Sequence, residues 1–246
     1  MLGDLSRREF VATAGLIAAG SLGVSAPEPE RPAERASEGK VIVFQGDSIT
    51  DCGRNRGVTE PNVPAALGTG YAFLVAAAAL AERPGAGLRF YNRGVSGDKV
   101  PDLAARWSSD ALDLKPDILS VLVGVNDFWH RLLRGYTGTV RDYEDGYTAL
   151  LETTRRALPG VRVLVLEPFV LRTGAVDARW FPEIDQRRAA AARVAERAGA
   201  RFVPLQAVFD DLSRRAAPAY WAADGVHPTA AGHAVIAERV RRAAGL

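Results

Sequence analysis

The chain of 246 residues is poor in the side chains that build metal centres and covalent cross-links. It has one cysteine, Cys52, and three histidines. A single cysteine excludes an intramolecular disulfide and a cysteine-based zinc cage. Three scattered histidines leave too few ligands for a catalytic metal, so we expect no metal and no cofactor. We expect Cys52 to be a small buried side chain, because no pattern around it indicates a lowered thiol pKa.

The chain also lacks a charge excess of either sign. Lys and Arg total 31 against 29 Asp and Glu, for a formal net charge of +2. This balance gives no reason to expect a nucleic-acid partner. No glycine-rich phosphate loop is present either. The length suits one medium-sized domain.

Residues 1–26 have the pattern of an export signal. Arg7 and Arg8 precede an apolar run over Ala12–Val24, and Val24-Ser25-Ala26 offers small residues for cleavage. The run is shorter than the about 20 apolar residues of a membrane span, so no stable span is expected. Paired arginines before such a run resemble the twin-arginine signal, and an ordinary secretory signal is the alternative. Both interpretations predict an exported protein.

The segment after this signal has a different composition. Residues 27–39 are rich in Pro, Glu and Arg without apolar periodicity, which predicts a disordered linker. One domain is then predicted over residues 40–246, with neither an internal repeat nor a second core.

Short apolar runs alternate with amphipathic stretches throughout this domain. Strands are predicted over residues 41–45, 88–92, 117–123, 161–166 and 201–204, and helices over 71–83, 100–114, 139–158, 184–198 and 229–244. Continuously apolar strands are typical of a parallel sheet covered on both faces. The alternation therefore predicts a three-layer α/β/α sandwich with a flavodoxin-like, mainly five-stranded parallel sheet. In such a sheet, chemistry collects where strands end.

The loop after the first predicted strand contains Gly46-Asp47-Ser48. Gly46 permits a tight turn that would expose the Ser48 hydroxyl at the end of the strand. Ser48 is therefore a candidate nucleophile. Serine in such a triplet is also commonly a helix cap or a turn residue, and the triplet alone leaves both interpretations open.

The segment from Asp224 to Pro228, just before the last predicted helix, supplies what a nucleophilic serine needs. A serine hydroxyl requires a nearby base, and that base requires a group that holds its tautomer. The step through Gly225 can fold the Asp224 carboxylate back onto the imidazole of His227. We interpret His233, within the last helix, as a surface or packing residue. His130 is also interpreted as packing, with a place beside the pocket as the alternative.

Two middle loops offer donors for an oxyanion hole, which must be aimed at the developing charge in advance. Gly94 follows the second strand, and its amide is unobstructed by a side chain. Asn126 follows the third strand and could point its side-chain amide into the same space. Both motifs are also ordinary turn chemistry.

Taken in order, these four blocks resemble the SGNH (GDSL-type) hydrolase family over about residues 40–245. They are Gly46-Asp47-Ser48-Ile49, with Ile in place of the more usual Leu, then Gly94, Gly124-Val125-Asn126-Asp127 and Asp224-Gly225-Val226-His227-Pro228. The resemblance implies Ser48 as nucleophile, His227 as base and Asp224 as the orienting carboxylate. It implies an oxyanion hole built from the Ser48 amide, the Gly94 amide and the Asn126 side chain.

Further segments look like the bacterial acetyl-xylan esterases of this fold. They are residues 46–54, 67–71, 106–107 and 126–129. This likeness implies a small or oligosaccharide ester substrate, an acetyl group as the unit removed and, as in some of those enzymes, a homo-oligomer. Asp47, Trp129 and Trp221 are candidate substrate contacts, although large aromatics just as often close the core. Lipases, other esterases and a non-catalytic carbohydrate-binding protein remain alternatives.

Overall fold

Five parallel strands form the central sheet of the computed structural model, which describes residues 39–246. They are β1 (Val41–Gly46), β2 (Arg89–Asn92), β3 (Ile118–Leu122), β4 (Arg162–Leu166) and β5 (Arg201–Val203). Their order is β2-β1-β3-β4-β5, and every pairing is parallel. This is the predicted flavodoxin-like sheet. The order reverses direction beside β1, so the loops after β1, β2 and β3 meet at one edge.

Helices cover both faces of the sheet. The α-helices are α1 (Ser48–Asp51), α2 (Pro64–Leu67), α3 (Tyr71–Glu82), α4 (Val100–Ala105), α5 (Val125–Arg134), α6 (Val140–Ala157), α7 (Glu183–Arg197), α8 (Gln206–Leu212), α9 (Pro218–Trp221) and α10 (Ala230–Ala244). A π-helical turn spans Ser108–Leu112, and a 3₁₀ turn spans Ala178–Trp180.

Alternate residues of each strand enter opposite cores. On β1, Ile42 and Phe44 pack in one core with residues of α3 and α10, whereas Val41 and Val43 pack in the other with residues of α6 and α7. Successive side chains of a strand point to opposite faces, so a strand buried on both faces needs apolar residues throughout. The continuously apolar runs in the sequence have this cause, and the predicted three-layer architecture is confirmed.

Two predicted elements differ from the structure. The helix predicted over residues 100–114 is broken, since α4 ends at Ala105 and the π-helical turn follows at Ser108. Ser108, Ser109 and Asp110 favour caps and turns over a helix interior. The segment after β3, expected as a loop that carries Asn126, is instead helix α5.

The predicted export signal and almost all of the predicted linker lie outside the described residues. Within residues 39–246, no helix is both long and apolar enough to cross a bilayer.

Candidate active site

Ser48 lies at the turn from β1 into α1. A Cβ atom on Gly46 would lie 2.3 Å from the carbonyl oxygen of Leu122, so only glycine fits this crossing. Asp47 caps α1, because its Oδ1 accepts a hydrogen bond from the Ile49 amide at 3.0 Å. Ser48 is thus the first residue of α1, and its hydroxyl stands 2.9 Å from Nε2 of His227.

His227 is held from behind by Asp224. The Nδ1 of His227 lies 2.6 Å from Oδ2 of Asp224. The other carboxylate oxygen accepts hydrogen bonds from the amides of His227 and Val226, at 2.7 and 2.9 Å. Burial opposes ionisation of Asp224, but these hydrogen bonds outweigh it and keep the pKa of the carboxyl below its usual range. An ionised Asp224 accepts a hydrogen bond from Nδ1–H, so the proton stays on Nδ1 and the Nε2 lone pair faces Ser48.

Gly225 allows this short return of the chain. Its φ is +86°, and a Cβ atom there would lie 2.4 Å from the carbonyl oxygens of Leu171 and Thr173. The step from Asp224 to His227 therefore depends on a residue without a side chain.

Ser48 and His227 open into a cavity of about 360 Å³. Its walls come from the loop after β2, from α5 and from the loop before α10. The lining residues are Ser48, Ser96, Gly97, Asn126, Trp129, His130, Leu133, Arg134 and His227. The sequence blocks around residues 48, 126 and 227 are therefore brought together at one site.

Gly94, the predicted donor, is not directed into this cavity. It is buried, and its amide already donates to Oδ1 of Asn92 at 2.9 Å. A Cβ atom on Gly94 would lie 2.3 Å from the Asp51 amide nitrogen, so close packing against α1 requires this glycine. The expectation that Gly94 supplies an oxyanion donor is therefore corrected.

Gly97, three residues later, lies where Gly94 was expected. It lines the cavity with a φ of +90°. Among the described residues, none accepts a hydrogen bond from the amide of Gly97 or of Ser48. Asn126 also lines the cavity, and its Nδ2 donates one hydrogen to the carbonyl of Asp98 at 3.2 Å, which leaves the other free. The loop contains a second glycine after Gly94, and this repeat was the signal that could have suggested Gly97 as the donor.

The loop that carries Gly97 is anchored on both sides. Oδ2 of Asp51 accepts from the Ser96 amide at 2.9 Å and from the Ser96 hydroxyl at 2.8 Å. Arg106 donates to the carbonyl of Arg93 and to Asp98, at 2.7 Å each. Burial opposes ionisation of Asp51, but the Ser96 and Arg56 hydrogen bonds outweigh it, and its pKa is lowered. These contacts fix the loop before any ligand arrives.

Comparison with known proteins identifies the family of this chain. The model of the GDSL-like lipase/acylhydrolase family matches residues 44–235. The chain belongs to this family. It is 35% identical over 215 residues to the acetylxylan esterase of Geobacillus stearothermophilus, covering 86% of this chain and 96% of that protein.

Solved structures support the same assignment. A GDSL-like protein from Parabacteroides merdae is 43% identical, with a TM-score of 0.82 over 85% of this chain and 96% of its own. An alpha/beta hydrolase from the metagenome of Lake Arreo, Spain, is 35% identical, with a TM-score of 0.77 over 86% of this chain and 97% of its own. The resemblance read from the sequence is confirmed, and the protein is an esterase of the GDSL type.

Of the three candidate substrate contacts of this GDSL-type esterase, Trp129 alone lines the cavity, 5.9 Å from the His227 ring between centroids. Asp47 is buried at 1% exposure and caps α1, so it is corrected to a structural residue. Trp221 is also corrected, since its Nε1 donates to the carbonyl of Leu212 and its ring packs on the core rather than in the cavity.

Two buried carboxyl groups lie beneath the site. Burial raises the pKa of Asp47 to about 7 and that of Asp127 to about 6. Oδ1 of Asp127 accepts from the Val100 amide at 3.2 Å, and Oδ2 is buried without a hydrogen-bond partner. Each of these groups therefore favours its neutral form more than an exposed carboxyl does.

The remaining histidines and the cysteine also differ in part from expectation. His130 lines the cavity, so the alternative to packing is correct. Cys52, expected to be buried, is half-buried, and its Sγ lies beside the solvent-accessible Thr69. His233 is buried, as a packing residue would be, and its Nδ1 accepts from the Tyr71 amide at 3.1 Å.

The contact between His233 and Cys52 does not make a nucleophile. Because Nδ1 of His233 accepts from Tyr71, its proton resides on Nε2, which lies 3.3 Å from Sγ of Cys52. Burial lowers the pKa of His233 to about 4, which keeps this tautomer neutral. A ring nitrogen that carries a proton cannot take one from the thiol. Within residues 39–246, no cluster of metal-ligating side chains is found.

Proposed function

We propose that this esterase removes short acyl groups, acetyl above all, from carbohydrate hydroxyls through an acyl-enzyme on Ser48. The observation that carries the proposal is the hydrogen-bonded chain from Ser48 through His227 to Asp224, which opens into the cavity. The named relative, an acetylxylan esterase, supports the carbohydrate part.

In the first half-reaction, Oγ of Ser48 attacks the ester carbonyl while Nε2 of His227 takes the hydroxyl proton. The amides of Ser48 and Gly97 and the side chain of Asn126 stabilise the oxyanion. The tetrahedral intermediate expels the sugar alkoxide, which receives that proton from His227. Asp224 stabilises the imidazolium while it exists.

In the second half-reaction, water takes the place of the sugar. His227 removes a proton from the water as it attacks the acyl carbon, and the oxyanion occupies the same donors. Collapse of the intermediate releases the carboxylic acid and returns the proton to Ser48.

The cavity favours short acyl groups. Its volume of about 360 Å³ is near the lower end of the about 300–1,000 Å³ that small-molecule pockets occupy. This space must hold the acyl group and the sugar beside Trp129, and aromatic faces suit sugar rings. Hydrolysis of aryl esters is therefore expected to fall from acetyl to octanoyl. A rise along this series would favour the lipase alternative.

The direct test is the Ser48→Ala variant on an aryl acetate, acetylated xylan, acetylated monosaccharides and phospholipids. We expect the wild type to cleave the acetylated sugars and the variant to lose activity on all of them. A fluorophosphonate should label the wild type at Ser48, which mass spectrometry can map. Turnover by Ser48→Ala at the wild-type rate would contradict the mechanism. Sugar binding without turnover in the wild type would favour the non-catalytic alternative.

A further inference from the structure

One face of α5 forms a continuous wall of the cavity. Asn126, Trp129, His130, Leu133 and Arg134 all line it, at the three- and four-residue spacing of a single helix face. A helix rises about 1.5 Å per residue, so this wall is about 12 Å long. It leads from an oxyanion donor in the first turn of α5 to a cation in the last turn.

Arg134 differs from most arginines of the protein in having no partner. Within residues 39–246, only the side chains of Arg134 and Arg201 form neither an ion pair, nor a hydrogen bond, nor a stacking contact with an aromatic ring. Arg131, on the same helix, pairs with Glu183 at 3.1 Å. Arg201 is exposed at the start of β5 and does not line the cavity. The guanidinium of Arg134 is therefore available to a ligand.

The charge around Arg134 favours an anion. None of the nine lining residues is acidic. Burial, followed by the positive charges of Arg134 and Lys99, lowers the pKa of His130, and the charge of Asp102 only partly opposes this effect. Lys99 and Asp102 form an ion pair with each other at 2.5 Å, so Asp102 is already neutralised. Among residues 39–246, no acidic side chain lines this end of the cavity to balance its positive charge.

We propose that Arg134 binds a carboxylate on the alcohol side of the ester, so that the preferred substrates are acylated carbohydrates bearing a uronic acid. The inference rests on the proposed function. The carbonyl lies at the Ser48 and Asn126 end, and an acetyl group is too short to reach the last turn of α5. The planar fork of an arginine matches a carboxylate with two parallel hydrogen bonds.

Matched acetates test this proposal. The probes are 4-carboxyphenyl acetate and the neutral methyl 4-acetoxybenzoate, which share the acetyl group. The measurement is the ratio of kcat/KM for the anionic ester to that for the neutral ester. The two esters differ in the intrinsic reactivity of their leaving groups. This difference is the same for every variant, so it cancels when the ratio is compared between variants. We expect Arg134→Gln to lower it about two- to fivefold, the range of an exposed ion pair.

Arg201→Gln is the matched control, because it removes the same charge outside the cavity. It should leave the ratio at the wild-type value. Added salt should lower the ratio in the wild type and have little effect in Arg134→Gln. The same pattern is expected with acetylated xylo-oligosaccharides that carry or lack glucuronic acid.

Two results would overturn the assignment of Arg134: an unchanged ratio in Arg134→Gln, or an equal fall in both variants, which would indicate net charge alone. In either case normal hydrolysis of the neutral ester would leave the proposed function intact. A wild type that hydrolyses neither acetate would contradict both proposals.

Discussion

Replacing Asp224 by asparagine tests the orientation of the His227 ring more sharply than removing the side chain. In the native site, one carboxylate oxygen accepts the amides of Val226 and His227, and the other faces Nδ1 of the ring. The two amides are donors, so the carbonyl oxygen of the introduced asparagine would take the position facing them. Its NH₂ group would then face the imidazole.

This arrangement reverses the tautomer of the ring. The NH₂ group donates to Nδ1, so the imidazole proton moves to Nε2, which lies 2.9 Å from the Ser48 hydroxyl. A protonated Nε2 cannot accept the serine proton. The equivalent loss in serine proteases lowers kcat about 10⁴-fold, which corresponds to about 5 kcal/mol of transition-state stabilisation. We expect a fall of that order here, because the same two hydrogen bonds are involved.

The assay is steady-state hydrolysis of an aryl acetate at neutral pH. KM should change little, because Asp224 does not line the cavity. Since the backbone contacts of residue 224 are kept, circular dichroism and Tm should stay near the wild type. Adding Asp224→Asn to Ser48→Ala should cost little more than Ser48→Ala alone, because residues of one catalytic unit are not additive. A kcat within tenfold of the wild type would refute the orienting role of Asp224.

Three further predictions concern other parts of the protein. Asn126→Ala should lower kcat about 10²- to 10³-fold in the same assay, the cost of one oxyanion donor, and a change in KM alone would exclude that role. Asp47→Asn should keep the hydrogen bond to Ile49 and raise Tm at pH 8 but not at pH 4. The folded pKa of Asp47 is raised, so its favourable contribution is complete at low pH and is lost as the pH rises towards about 7; equal Tm shifts at both pH values would contradict this. Replacing Arg7 and Arg8 by Lys should block export, measured by cell fractionation, if the signal is of the twin-arginine type, and continued export would favour the ordinary secretory signal.

The sheet was predictable because a strand buried on both faces is apolar along its whole length. Every residue of β1 and β3 is buried, so both strands are nearly unbroken apolar runs in the sequence. Helix α5 was missed although Val125, Phe128, Trp129 and Leu132 have helical spacing. The helix starts at Val125 after Gly124, which has no side chain to cap it, and it has only ten residues. A short element after a strand is easily taken for its loop.

The proposed catalytic side chains could be predicted for a different reason. Ser48, His227 and Asp224 carry chemical groups that few other residues supply, and the chain contains only three histidines. Their meeting depends on the parallel sheet, whose strands end at one edge, and strand and helix alternation already implied that sheet. The cavity walls depend on side-chain direction instead, which is why Trp129 faces the cavity and Trp221 faces the core. Spacing along the sequence does not distinguish a tryptophan that faces the cavity from one that faces the core.

The loop after β2, which carries Gly94 and Gly97, shows why a glycine in the sequence is ambiguous. A glycine can be required because a ligand must approach its amide, or because another backbone segment packs against its Cα. Both requirements give a glycine in the sequence, so the sequence does not distinguish them. At Gly94 a Cβ atom would collide with the backbone of α1, whereas at Gly97 the nearest atom to a Cβ is Cε1 of His130, at 3.8 Å. Gly97 is therefore fixed by its positive φ and not by packing, and the space in front of it is left for a ligand. That difference is three-dimensional, and only the structure assigns the two glycines to packing and to the cavity.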